Sequence, residues 1–434
     1  MRAYGFAMKR ALAVFGLLTI ACGGSTEASI PTKDAAGPDT SVEPDAAPPI
    51  DNGGPSKTYP AFTPEVPRVV SPGAGPVLVH TRIVPAFYPN DDYQLNTTNF
   101  LAKFAPSPRW KELVGEYGVL DATVTAPVAI ADAPPTAIDD ASIKKWLASN
   151  LDGTHAEWPA PDDNTVYVIF YPAGTEITFN NSKSCQTFGG YHNDTVLGNG
   201  KKVAYAIMPR CMGTFNLRSA VLSHELEEAA TDPLPTLSPA YGQLDDRHLA
   251  WLITHSGGEV GDMCQTDPLA NYQIPDLDLA NVQRSWSNKS ALAHHDPCVP
   301  VLPNYVYFNS TPVLSETVTV NVPNLPQFGP AAGKSLKVEG VTIPIGQKKT
   351  LEVDLWSDAD TKGPWSVEAI DVLAERYMLP PTLGFEWDRK TGVNGEKLHL
   401  TITALGASPL SVSLFEVVST KTPQKMSWTG VVAN

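Results

Sequence analysis

The sequence predicts an α/β fold, a mixed sheet with helices packed on it, followed by a C-terminal β-sandwich domain. Three observations carry this. At 434 residues the chain exceeds one ordinary domain, and 42% hydrophobic residues supply real cores. Between residues 66 and 302, apolar strand runs alternate with helical periodicity in the order strand, helix, strand, helix, strand, strand, helix. From Tyr305 onward, short alternating runs recur with turn residues between them, the pattern of a sandwich. The organisation is therefore 1–22 a signal segment, 23–65 a tether, 66–302 the mixed α/β domain and 303–434 the β-sandwich domain.

Taken in order, the chain opens with Arg2, Lys9 and Arg10 before an apolar run at 11–20, too short to span a bilayer. Thr19-Ile20-Ala21-Cys22 follows. A small residue before a lone cysteine resembles a bacterial lipoprotein signal, with Cys22 as the lipidated residue; an ordinary signal peptide cut nearby is the alternative. Either implies export, and the lipoprotein form implies an outer-membrane or cell-surface protein that meets the membrane by its lipid anchor only. Residues 23–65 are rich in Ala, Pro, Asp, Gly and Ser and predict a flexible tether. The net charge of −15 argues against nucleic acid and anionic lipid surfaces as partners.

Strands are expected at 77–88, 123–130, 164–171 and 202–208, all β-branched or aromatic. Helices are expected at 99–117, broken by Pro106 and Pro108, and at 139–151. A further helix spans 217–230, with Asn216 as N-cap and Pro233 as its stop. Residues 234–300 read as a long, ordered, irregular region. Setting Cys22 aside leaves four cysteines, which allow three pairings; an exported chain favours the sequence-local disulfides Cys185–Cys211 and Cys264–Cys298. A thiolate metal site lacks the Cys-x-x-Cys spacing. The C-terminal strands are expected at 317–322, 335–341, 349–353, 397–402 and 411–417.

The chemistry centres on Ser223-His224-Glu225-Leu226-Glu227-Glu228-Ala229-Ala230-Thr231-Asp232-Pro233. At 100° per residue, His224, Glu228 and Thr231 share one helix face, with Glu225 and Asp232 at its edge. An imidazole and carboxylates aligned with apolar residues head for the interior, where charges need partners or a cation. His224 and Glu228 at i and i+4 reach one metal, while Glu225 serves as general base for a water activated by it. Glu228 stands where a zinc peptidase of the His-Glu-x-x-His type has histidine, so calcium or manganese competes with zinc. Glu259 in Gly257-Gly258-Glu259-Val260-Gly261-Asp262, or His192 after Gly189-Gly190-Tyr191, completes the ligands. Asp232 and Asp262 would orient the ligands from behind. The bland alternative is a solvated Glu227-Glu228 pair, with Glu225 paired to Arg218 or Arg247. His248, His255, His294 and His295 read as surface or loop histidines.

The plan resembles that of zincin-type zinc peptidases, in which an edge strand precedes the helix bearing the metal ligands. A wider set of motifs also recurs together. It comprises Glu116-Tyr117-Gly118-Val119, residues 170–175, Phe188-Gly189-Gly190-Tyr191-His192, residues 205–211, the helix motif, Gly258 to Asp262 with Cys264, and Trp286-Ser287-Asn288 with Cys298. In these the chain resembles a family of secreted bacterial proteins and, more distantly, the plant phosphate-induced (EXORDIUM-like) proteins of the cell wall. The resemblance covers residues 76–299 and implies an extracellular setting without a settled activity.

The expectation is a surface-anchored, metal-dependent hydrolase, a peptidase in the first instance, acting on a peptide laid along the strand before the helix. The rival is a non-enzymatic cell-wall or matrix binding protein with a structural metal or buried polar cluster, using Trp251, Trp286 and Tyr241 against glycans.

Overall fold

A computed structural model describes residues 52–71, 73, 75–255, 257–322, 333–408 and 410–434. The expected signal, Cys22 and most of the expected tether lie outside the described residues. The chain is a mixed helix-and-strand protein with several sheets and a C-terminal sheet-rich region.

The first sheet has six strands: a short one at Val128–Ala129 beside β1 (His80–Phe87), and a main path of β1, β2 (Asp121–Val124), β3 (Thr165–Phe170), β4 (Tyr191–Val196) and β5 (Lys202–Met208). Its order is β2-β1-β3-β5-β4. All neighbours are parallel except β4, which runs antiparallel to β5 at the edge. Central β3 is buried throughout, and its alternation sorts the two faces. Val166, Val168 and Phe170 join one core with α1 (Gln94–Phe104), α2 (Pro108–Val114) and α4 (Phe215–Thr231). Tyr167 and Ile169 join the other with α3 (Asp140–Asn150).

Local signals explain the helix ends. Pro108 occupies the first turn of α2, where its missing N–H costs nothing. The Asp139 side chain caps α3 by accepting from the Ser142 amide at 2.8 Å. Helix α4 begins one residue before the expected cap: Thr214, not Asn216, holds the N-cap position, and Asn216 is already helical.

Two further expectations are corrected. The strand before α4 is interior, because β5 is paired on both sides. The edge belongs to β4, which is not among the four strands expected from the sequence. A substrate therefore has no free edge on β5. The tether also ends early. The Asn394 amide donates to the carbonyls of Ser56 and Thr58, and the Ala61 N–H donates to Asn394 Oδ1. These bonds hold residues 56–61 against the C-terminal region.

That region consists of two sheets. One holds Phe308–Pro312, Lys348–Ser357, Lys397–Ala404 and Leu383–Trp387. The other is centred on Val412–Lys421 and Gln424–Ala433. Val353 and Leu400 of the first share one buried core with Val367 and Phe415 of the second. A separate apolar cluster joins the two halves of the chain: Trp251, Val260, Met263 and Trp286 pack with Val318, Val338 and Trp428. Trp251 and Trp286 are buried there, which removes them as an exposed platform for glycans.

Both expected disulfides form, with Cα separations of 5.1 Å for Cys185–Cys211 and 5.7 Å for Cys264–Cys298. They fit an oxidising, extracellular compartment. Among the described residues no helix is long and apolar enough to cross a membrane.

Candidate metal centre

Helix α4 is covered on both sides. Leu222, Leu226, Ala229 and Ala230 face the sheet. The other side meets the ribbon of β6 (Asn271–Ile274) and β7 (Ala280–Gln283). The Gln283 amide N–H donates to Ser223 Oγ at 2.9 Å, tying β7 to the helix. Covered in this way, the helix buries Glu225, Glu227 and Glu228. None is a solvated surface group, and none pairs with Arg218 or Arg247. Arg218 forks onto Asp91 at 2.7 and 2.6 Å, and Arg247 pairs with Glu65 and Glu339. Glu227 turns away from the other two to accept from Ser285 Oγ.

His192 enters from β4. It pairs across the strands with Ala206, which lies in the α4-side core, so His192 faces α4 as well. The small alanine leaves room for the imidazole. The third contribution is the loop at 257–264. Cys298 anchors it through the disulfide to Cys264, and the Trp286 amide donates to Val260 O at 2.8 Å. Its glycines permit the approach: a Cβ on Gly261 would lie 2.6 Å from His224 Nδ1, and one on Gly257 would lie 1.5 Å from Asp262 Oδ2.

These elements bring all the expected ligands together, in two clusters that share Glu228: His192, Glu228 and Glu259; and His224, Glu228 and Asp262. Within each cluster the ligand atoms lie within 4.8 Å of one another. His192 Nε2 is 3.3 Å from Glu259 Oε1, and His224 Nε2 is 3.2 Å from Glu228 Oε2 and 3.9 Å from Asp262 Oδ1. Glu225 Oε2 stands 3.8 Å from His192 Nδ1. Asp232 sits behind Glu259 and accepts the Ala240 N–H at 2.8 Å.

Carboxylates outnumber imidazoles here, and burial makes that excess costly. Burial pulls both imidazoles down, but the surrounding carboxylates outweigh it. Glu259 and Glu225 hold His192 well above its ordinary pKa, and Glu228 does the same for His224. Burial, with the like charge of Glu259, pushes Asp232 up to about 7. Burial and Glu228 push Asp262 well above the carboxylate range. Glu228 is also raised by burial, against the pull of His224. The cluster holds protons or a cation in preference to bare charge, and its oxygen-rich donor set fits a divalent ion.

The other histidines separate from this group. His248 and His255 are buried rather than on the surface, because each is enclosed by the apolar joint between the two halves. His294 reaches Pro64 O at 2.9 Å and His295 reaches Asp358 at 3.3 Å. Sequence reading missed one residue of the centre, Gln283, whose amide nitrogen lies 2.8 Å from both His224 Nδ1 and Gly261 O. A glutamine at the end of a short strand carries no motif.

No protein-family model and no curated protein matches the chain. Among solved structures it is similar to single titin domains. The titin M4 domain is 15% identical, with 22% of this chain and 84% of that one covered, at a TM-score of 0.15. The complex of titin M10 with obscurin-like 1 is 17% identical, with 22% and 83% covered, at the same TM-score. Scores this low carry no argument about fold or function.

Proposed function

We propose that the chain is a cell-surface hydrolase dependent on a divalent cation, a peptidase in the first instance. The observation that carries this is the convergence of His192, His224, Glu228, Glu259 and Asp262 from a strand, a helix and a disulfide-anchored loop, with Glu225 beside them. A bound divalent cation supplies Lewis-acid polarisation of the scissile carbonyl. Glu225 takes a proton from the attacking water and passes it to the leaving amine. Asp232 buttresses Glu259 from behind. The ligand set accepts zinc, with calcium or manganese as the oxygen-favouring alternatives.

The layout supports a zincin-like plan: an antiparallel edge strand, β4, lies beside the helix that carries the ligands. A peptide or cell-wall polymer enters from the side of Glu259, Asp262 and His224, whose side chains are 19%, 15% and 13% exposed, against 4% for Glu228. Lipidation at Cys22 would hold the enzyme at the outer membrane or cell surface. The motif resemblance to EXORDIUM-like proteins fits that extracellular setting.

The test is Glu225→Gln. The variant keeps its cation and loses peptide cleavage by about 100-fold or more. Wild-type cleavage disappears with chelator and returns with zinc. Wild-type protein that carries a cation and cleaves nothing in a peptide library contradicts the hydrolase. The second reading, a wall- or matrix-binding protein with a structural cation, is favoured by the near-complete burial of His192 and Glu228. It has the same cation and no catalysis.

A further inference from the structure

The two clusters share Glu228, yet their atoms are satisfied very differently. Around His224, Nδ1 of the ring, Oε1 of Glu228 and Oδ1 of Asp262 each have a hydrogen-bond partner. Gln283 Nε2 lies 2.8 Å from Gly261 O, so that atom is the amide nitrogen, because a carbonyl oxygen would face another. Its second N–H points at His224 Nδ1, also at 2.8 Å. A donor there requires a lone pair on Nδ1. In its neutral form the imidazole then carries its proton on Nε2, which faces Glu228 Oε2 at 3.2 Å. A cation on Nε2 would force that proton onto Nδ1, against the glutamine N–H. Asp262 is engaged too: Gln265 Nε2 donates to its Oδ1 at 2.7 Å, and its own amide donates to Glu228 Oε1 at 3.0 Å.

Around His192 two facing atoms lack hydrogen-bond partners altogether. His192 Nε2 and Glu259 Oε1 are buried and face each other at 3.3 Å, and neither has a hydrogen bond of good geometry. The His192 residue is only 8% exposed. Its other nitrogen, Nδ1, looks toward Glu228 Oε2 at 3.7 Å and Glu225 Oε2 at 3.8 Å. An imidazole that ligates through Nε2 keeps its proton on Nδ1 and offers it to a carboxylate, which is this arrangement.

We infer that the cation seat is His192, Glu228 and Glu259, and that His224 is a positioning residue whose tautomer Gln283 fixes, so that its Nε2–H orients the shared carboxylate of Glu228. The inference rests on the cation reading above and divides the roles within it. It reverses the assignment the helix motif suggests, in which the histidine of His-Glu-x-x-Glu would be the first ligand.

The experiment is zinc titration of the full mature chain, wild type against His192→Gln and His224→Gln, with folding checked by circular dichroism. Glutamine at 224 keeps an N–H donor toward Glu228. His192→Gln weakens zinc binding by at least about 100-fold, whereas His224→Gln changes it by less than about 10-fold. In parallel, nitrogen NMR of the zinc-loaded wild type reads the tautomers without any mutation. His224 shows a protonated Nε2 and free Nδ1, and His192 shows a protonated Nδ1 and a zinc-shifted Nε2. Equal loss of zinc in both variants, or a zinc-shifted Nε2 on His224, overturns the division of roles and leaves the cation reading standing. Wild-type protein that binds none of zinc, manganese and calcium overturns both.

Discussion

Two buried ionic clusters draw on the 257–300 segment, and they are built on opposite terms. Arg284 is fully buried between Asp296, at 2.5 Å, and Asp267, and it also donates to Cys298 O at 2.7 Å and Leu269 O at 3.1 Å. Its charge and its donors are matched within the protein. The cluster on α4 gathers more carboxylates than imidazoles and leaves His192 Nε2 and Glu259 Oε1 without good partners. The Arg284 cluster closes on itself; the one on α4 stays open, and under the proposed reading a cation closes it.

Breaking the matched cluster has the largest effect expected. Arg284→Ala leaves Asp267 and Asp296 buried without their partner and costs about 3–5 kcal/mol in denaturant unfolding, with or without metal. A loss under 1 kcal/mol would place the Arg284 cluster outside the fold's energetics.

The contrast extends to the histidines. His255, beside Arg376 and stacked 4.9 Å from the Trp251 ring, is pushed down to about 3, first by burial and then by that guanidinium. Above its unfolded value near 6.5, folded and unfolded chains are both neutral at this site, so its contribution to stability is complete. As pH falls toward 3 the unfolded chain takes a proton that the folded one refuses, and up to about 4 kcal/mol is lost. His255→Phe should flatten that part of the stability profile; an unchanged slope would assign it to other groups.

Releasing the loop tests how the unmatched cluster is held. Cys264→Ser with Cys298→Ser opens a 34-residue loop and costs about 3 kcal/mol. Zinc affinity falls with it, because Glu259 lies on the freed segment. Affinity unchanged in a folded double variant would show that Glu259 is not a ligand.

The smallest effect sharpens the comparison most. In chelator, Glu228→Gln removes one of the crowded carboxylates and leaves the metal-free protein equally stable or about 1 kcal/mol more stable. A loss above 2 kcal/mol would mean that the cluster is balanced in the way Arg284 is.

The sequence made some of this legible and hid the rest for physical reasons. The run KVAYAIM announces β5 to the residue, and the sequence-local cysteine pairs form as expected. Both follow from strong local signals: β-branched and aromatic burial, and an exported chain. Strand β4 was missed because its inward residues are His192 and Asp194. They face the core for the metal centre and for a loop, not for apolar packing: Asp194 accepts the amides of Thr236 and Leu237 at 2.8 and 3.0 Å. The helix motif was readable, but its division of labour was not, since Gln283 meets His224 from 59 positions away. Residues 56–61 have the composition of a tether, yet they are held by contacts with Asn394, more than 330 positions away.

The central claim is that the α4 cluster holds a divalent cation. Metal content of the purified, oxidised chain, measured by mass spectrometry beside His192→Gln, tests it most directly. The account predicts a transition metal or calcium bound near one equivalent in the wild type and lost in the variant. Metal-free wild type, with a melting temperature that neither chelator nor added zinc moves, would contradict it.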